Sequence, residues 1–297
     1  MEQQEKKIAG FSHNVVFLGI VSFLTDIASE MIYPVLPLFL SAIGVSKSFI
    51  GFIEGIAETT ASVLKVFSGW ISDKFKKRKF LILLGYGISA ITKPVLVFAT
   101  AGWHVLVLRF LDRTGKGIRT SPRDALIADS TEESQRGKAF GLHRTMDTAG
   151  AVIGPLIASL VLMMNAGKVN SFFKAINPQE GLFRFIFLLS IIPGVFAVIF
   201  LVFSIKETFK SSDDKGEPPL KGWASLDHKF IPFLIIAAIF TLANSSDAFL
   251  LLRAQATGVS IAHIPLIWLL FNMVYTILAT PFGALSDKIG RRKVIIG

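Results

Sequence analysis

Eight stretches of this 297-residue chain stay apolar for the length of a bilayer-crossing helix, and short basic connectors separate them. A hydrocarbon core about 30 Å thick takes about 20 residues of helix. Inside lipid a lone segment must satisfy its backbone hydrogen bonds internally, so such stretches are read as helices. The candidate spans run from about His13 to Ile43, Phe49 to Ile71, Phe80 to Ala101, Trp103 to Ala128, Gly137 to Met164, Leu182 to Ile205, Phe230 to Leu252 and Ile264 to Leu285. The expected fold class is therefore all-α, a polytopic membrane protein. Composition agrees: 18% of residues are charged, against about 25% in soluble domains.

The connectors fall into two kinds. Lys74, Lys76, Lys77, Arg78 and Lys79 fill the one after the second span, and Arg113, Lys116, Arg119, Arg123, Arg136 and Lys138 run from the fourth span, where it fades into polar sequence, to the start of the fifth. Lys206, Lys210, Lys215, Lys221 and Lys229 follow the sixth, and Lys288, Arg291, Arg292 and Lys293 the eighth. The alternate connectors hold only Lys47, then nothing, then Lys168 and Lys174. Cytoplasmic loops carry the excess of Lys and Arg, so the N-terminus is expected in the cytoplasm. The same rule accounts for the net charge of +10 without nucleic acid as a partner. The polar start MEQQEKKIAGFSHN leads into a first span too long for a signal-peptide core, so that span is expected to be retained.

There is no Cys, and the five His are scattered. Disulfides and thiolate metal sites are excluded, no zinc spacing occurs, and no cofactor is expected. GKGIRTS lacks the strand-to-helix setting of a phosphate loop, and no Ser-His-Asp set converges, so an enzyme is not expected.

Residues 206–228 read KETFKSSDDKGEPPLKGWASLDH, a composition poor in helix formers. They are expected to be a cytoplasmic linker between a bundle at 1–205 and a second helical region at 229–297. An ungapped internal repeat supports that division. GVSKSFIGFIEGIAETTASVLKVFSGWISDKFKKRK from Gly44 aligns with GVSIAHIPLIWLLFNMVYTILATPFGALSDKIGRRK from Gly258, a constant offset of 214. Gly69 meets Gly283, Asp73 meets Asp287, and Arg78 meets Arg292. Self-similarity of this kind signals duplicated architecture. The second span matches the eighth, so the repeating unit is six helices, and the second unit is expected to lack its last four.

Several charges lie in the apolar runs, where each costs at least about 2.5 kcal/mol at the bilayer centre. Asp26 and Glu30 lie four apart on one helix face, as do Glu54 and Glu58. With few cations expected at their depth, these four acids would repel one another if all were ionised, so at least one is expected to exchange a proton near neutral pH. Asp26 and Glu30 lead, because Pro34 and Pro37 interrupt the same helix and a break can expose backbone to a ligand. Glu54 is placed nearer the outer surface. Lys65, Arg109, Asp112 and Asp147 are placed nearer the cytoplasmic ends, as internal pairs or anchors. Asn244 and Asp247 in the seventh span complete the candidates; the repeat sets Asn244 opposite Glu30. Helix-to-helix hydrogen bonding is an equal reading for these two.

Gly69-Trp-Ile-Ser-Asp73-Lys-Phe-Lys-Lys-Arg78-Lys79, its second copy at Gly283 to Lys293, Arg109-Phe-Leu-Asp112-Arg113-Thr-Gly115, and Gly150-Ala-Val-Ile-Gly154-Pro155 together resemble the motifs of the major facilitator superfamily of secondary transporters. The string Gly117 to Asp129 is similar to a bacterial branch of that family. The resemblance implies a six-helix bundle plus the first two helices of a second. It implies tight packing at Gly69, Gly150, Gly154 and Pro155, and a conformational latch in which Asp73 pairs with Arg78 or Arg109. Gly283, Asp287 and Arg292 would form the counterpart. Function is expected to be alternating-access transport of a small molecule or ion, driven by protons, in a cell membrane such as the bacterial inner membrane, with no oligomer required. The alternative is a non-transporting receptor or scaffold on the same fold. Asp112, Arg113 and Lys116 depart from the uncharged residues usual in drug exporters.

Overall fold

The structure, a computed structural model, describes residues 7–164, 178–208, 230–243 and 245–289. Helices account for nearly all of it; a two-stranded hairpin, β1 (Lys7–Ile8) and β2 (Phe11–Ser12), precedes them. In order the helices are α1 (His13–Glu30), α2 (Leu36–Ala42), α3 (Lys47–Phe75), α4 (Arg78–Val95), α5 (Gly102–Asp129), α6 (Arg136–Met164), α7 (Pro178–Leu189), α8 (Ile191–Ser204), α9 (Phe230–Ala243), α10 (Asp247–Ala256) and α11 (Ile264–Ile289). Among the described residues, four helical stretches are long and apolar enough by composition alone to cross a membrane: Arg78–Phe98, Glu133–Met164, Gln179–Ser204 and Ile261–Leu278. Large apolar side chains point outward all round the molecule, Phe98, Phe203 and Phe240 each more than three-quarters exposed. Hydrocarbon is the solvent that such a surface suits. The protein is an all-α, multi-pass membrane protein.

The stretches read as the first and seventh spans are each broken. Pro34 has no N–H to offer the Glu30 carbonyl, and its ring disfavours the α conformation at Tyr33. A string of turns, among them Tyr33 N–H to Ser29 O at 2.9 Å, carries the chain into α2 with Pro37 in its first turn. The second break precedes α10, where the Ser246 side chain caps the new helix by accepting from the Ala248 N–H.

The internal repeat has a backbone counterpart. Gly44 (φ 81°) ends α2 and Gly258 (φ 94°) ends α10. At the first, Gly44 N–H reaches Ser41 O and Val45 N–H reaches Leu40 O; at the second, Gly258 N–H reaches Gln255 O and Val259 N–H reaches Ala254 O. Every partner is displaced by the same 214 positions. Left-handed backbone at a helix C-terminus is where glycine is favoured.

α1 packs on α6 and α8, α5 lies between α3 and α4, and α11 lies against α6. Glycines set the closest crossings. A Cβ on Gly85 would sit 2.4 Å from Gly115 O, and one on Gly115 would sit 2.5 Å from Gly85 O, so α4 and α5 touch backbone to backbone. Gly117 meets α3 at Leu64 and Ala61, while Gly150 and Gly154 meet α1 at Phe23 and Ile27 carbonyls. Two apolar clusters close the ends of the bundle. One gathers Val15, Leu18, Ile82, Tyr86, Leu126 and Leu201, the other Met31, Phe39, Ile50, Val105, Phe187, Leu251 and Ile264.

Candidate functional site

Between these clusters α1, α4 and α5 enclose a polar cavity. α1 supplies Asp26, Ser29 and Glu30, and the turn after it Tyr33; α4 supplies Thr92 and Lys93; α5 supplies Arg109, Asp112, Arg113, Lys116 and Arg119. The α5 cations recur every three or four residues, so they form one stripe along the helix.

At one end of the stripe the charges are matched. Arg109 Nη2 donates to Glu54 Oε2 at 2.7 Å and its other Nη lies 3.9 Å from Asp112. Lys93 Nζ lies 3.4 Å from the second Asp112 oxygen. Arg113 reaches Glu58 at 3.3 Å. Three carboxylates thus face three cations, drawn from α3, α4 and α5. Low dielectric makes such pairs strong but costs each ion its hydration, so they hold only when geometry is good.

Farther along, the matching stops. Arg119 is buried, 6% exposed, with the Ser89 hydroxyl accepting from Nη1 at 2.7 Å and the Tyr86 ring 4.2 Å from its guanidinium carbon. Among the described residues no carboxylate oxygen comes within 4.0 Å of Arg119 or Lys116. Asp26 and Glu30 line the opposite wall. Glu30 Oε2 accepts from Trp268 Nε1 of α11 at 2.7 Å, and Tyr33 packs on the same indole with ring centroids 4.6 Å apart.

That indole belongs to the part of the chain after the linker. Ser159 Oγ donates to Ala262 O at 2.6 Å close by, and Phe249 packs against Gly51. These contacts gather where α2, α10 and the start of α11 meet, around the apolar cluster of Met31, Phe39 and Leu251.

The opposite end carries the basic connectors. Arg78 pairs with Asp73 at 3.2 Å and also with Asp129 at the end of α5. Asp73 is 54% exposed there and Asp129 only 13%. Glu207 accepts from the N–H groups of Arg78 and Lys79 at 3.0 and 2.9 Å, closing the start of α4. Buried Asn14, at the start of α1, donates to Ser130 Oγ and to the Lys206 carbonyl and accepts from the Lys206 N–H. It ties three helix ends together, a role that a lone polar residue near a span boundary does not advertise.

Several expectations change. Arg109 is not a partner of Asp73. It stands level with Glu54 on antiparallel α3, nineteen residues short of Asp73 and so about 28 Å away along the helix. Arg109 and Asp112 accordingly lie away from the basic end and not, as expected, near it. Glu54 is buried at 4% exposure rather than near an outer surface. The acids do not lack cations at their depth, because α5 brings Arg109 and Arg113 to them. Asp147 takes a hydrogen bond from Ser22 and lies 3.7 Å from Arg144, outside the cavity lining. Asp247 opens α10 beside its capping serine. Gly69 faces Ser121 of α5, 3.3 Å from where a Cβ would stand. Pro155 is buried within α6 next to Gly154. Asn244 and Arg292, and the side chain of Asp287, lie outside the described residues, as does most of the linker; Gly283 lies within α11. Among the described residues no group of His, Cys, Asp or Glu is placed to hold a metal.

Residues 18–297 match the sequence profile of the Major Facilitator Superfamily. The chain belongs to that family. Membership agrees with the all-α, multi-pass membrane fold described above. This facilitator chain is 36% identical over 290 residues to an uncharacterized MFS-type transporter of Methanocaldococcus jannaschii, covering 96% of this chain and 69% of that protein. It is 29% identical over 147 residues to the multidrug resistance protein MdtH of Photorhabdus laumondii, covering 49% of this chain and 36% of that one. In fold it is similar to a bacterial homologue of the human lysosomal transporter Spinster in an inward-facing, occupied conformation, with a TM-score of 0.71 and 18% identity. That match covers 94% of this chain and 62% of the other, so the chain spans less than two thirds of the solved protein's length.

Proposed function

We propose that the chain acts in a secondary active transporter that moves a small solute by alternating access and couples it to protons. In this reading α1 to α8 form the first six-helix bundle, α9 to α11 open the second, and the end bearing Asp73, Arg78 and Asp129 faces the cytoplasm. The observation that carries it is a charged cavity lying between two apolar plugs, with one wall, at Glu30, hydrogen-bonded across to Trp268 of the following half. A carboxylate that lines the cavity and also touches the partner half senses both solute and conformation. Exchange of a proton at Asp26 or Glu30 changes the charge of that wall, which is how a proton gradient would bias one arrangement of the halves over the other. Charged groups inside a membrane bundle are costly unless they serve a path or a partner.

Vesicle transport tests the proposal. Proteoliposomes loaded with a pH-sensitive dye are challenged with a panel of small organic anions, sugars and organic cations. Solute-dependent proton movement is expected for the unaltered protein. It should be lost in Asp26→Asn or Glu30→Gln, with both variants still monodisperse in detergent. Proton movement that persists in both variants contradicts the coupling assignment, and no solute-dependent flux from the intact protein contradicts transport itself.

A further inference from the structure

We infer that the cavity binds its solute as an anion, through a carboxylate or phosphate group held between Lys116 and Arg119. This deepens the transporter reading and rests on it for biological meaning, though not for its test.

The cation stripe of α5 is paired unevenly. Arg109 and Arg113 have carboxylates from α3, and Lys93 of α4 shares Asp112 with Arg109. One and two turns on, Lys116 and Arg119 face the same cavity with no carboxylate in contact range. Arg119 is fully inside the protein, and its partners are a hydroxyl and an aromatic face. Neither carries a full negative charge. A buried cation stripped of water is stable only with a counter-charge nearby, and a hydroxyl with a ring compensates it in part. A guanidinium presents several donors in a fixed plane, of which Ser89 engages Nη1; an ammonium beside it adds a mobile point charge. That pairing suits an oxyanion, whose oxygens accept from both.

The two carboxylates of the facing wall do not fill the place. Glu30 is engaged by the Trp268 indole. Asp26 stands within electrostatic reach of Lys116 and Arg119 on α5, of Lys93 on α4, of Glu30 on its own helix and of Asp147 on α6, but among the described residues no ion pair joins it to Lys116 or Arg119. Its charge and an incoming anion compete for the same two cations. Neutralising Asp26 therefore strengthens the site, and binding of anion and of proton become linked.

The test is binding to the intact protein in detergent, read as the shift of the thermal unfolding midpoint on titration with inorganic phosphate or succinate. Glucose and tetraethylammonium serve as neutral and cationic comparisons. At least one of the two anions is expected to raise the midpoint saturably while the comparisons do not. Lys116→Gln and Arg119→Gln should each weaken that anion by about tenfold or more, and Asp26→Asn should tighten it. Lys116 is exposed to the cavity, so its variant keeps the test open if Arg119→Gln does not fold. The inference is overturned if neither anion stabilises the protein, if Lys116→Gln binds as tightly as the unaltered protein, or if Asp26→Asn weakens binding. Anion binding by a protein that shows no coupled flux in vesicles would overturn transport and leave the site standing. Flux of a neutral or cationic solute by a protein indifferent to both anions would overturn the site and leave transport standing.

Discussion

Glu54 and Glu58 sit four residues apart on α3 and look equivalent along the chain, yet the fold separates them. The Glu54 side chain is 5% exposed and bound to Arg109 at 2.7 Å; that of Glu58 is 62% exposed and reaches Arg113 at 3.3 Å. Removing one partner of a buried pair leaves an uncompensated charge and costs about 3–5 kcal/mol, whereas an exposed pair contributes about 0–1 kcal/mol. Glu54→Gln is therefore expected to lower the thermal unfolding midpoint sharply and Glu58→Gln hardly at all. Equal shifts for the two would show that the Glu54–Arg109 pair is solvated. At this scale the sequence revealed that charges lie inside apolar runs, and hence that they must turn inward. It did not reveal their partners. Which carboxylate meets which guanidinium depends on how far antiparallel helices slide past each other, and no residue pattern within α3 alone encodes that offset. The same limit hid the uneven pairing along α5, and it left a distant Arg109 beside Arg78 as a candidate partner of Asp73.

Among elements, α4 and α5 are held at backbone contact by Gly85 and Gly115, and that crossing positions Lys93, Asp112 and Arg119 around one cavity wall. Gly115→Val would force the helices apart, since its side chain would begin 2.5 Å from a carbonyl oxygen that cannot move independently. Overpacking of this kind costs about 1–3 kcal/mol or more. Gly87→Val on the other side of α4 meets nothing within 4 Å and is expected to be tolerated. Unfolding midpoints of the two variants make the comparison, and a Gly115→Val protein as stable as the unaltered one would refute the close crossing. Apolar length and Pro34 made the helices and the first break readable in advance. The break before α10 has no proline. Its signal was the capping serine at Ser246, which reads in sequence as one more polar residue in a polar patch. Repeat alignment did carry through to backbone detail, because only a left-handed helix end demands glycine at both Gly44 and Gly258.

Over the whole molecule, the parts before and after the linker meet at the end remote from the basic connectors. Trp268 on Glu30, Ala262 on Ser159 and Phe249 on Gly51 form that meeting. Alternating access requires these contacts to part and re-form, while a static scaffold would keep them. Because the chain has no cysteine, an engineered pair can report on this without background. The decisive measurement is solute-dependent proton flux in proteoliposomes bearing Ser159→Cys and Ala262→Cys, before and after oxidative cross-linking and again after reduction. Flux that stops on cross-linking and returns on reduction is the predicted result. Full flux through quantitatively cross-linked protein would contradict alternating access about this end.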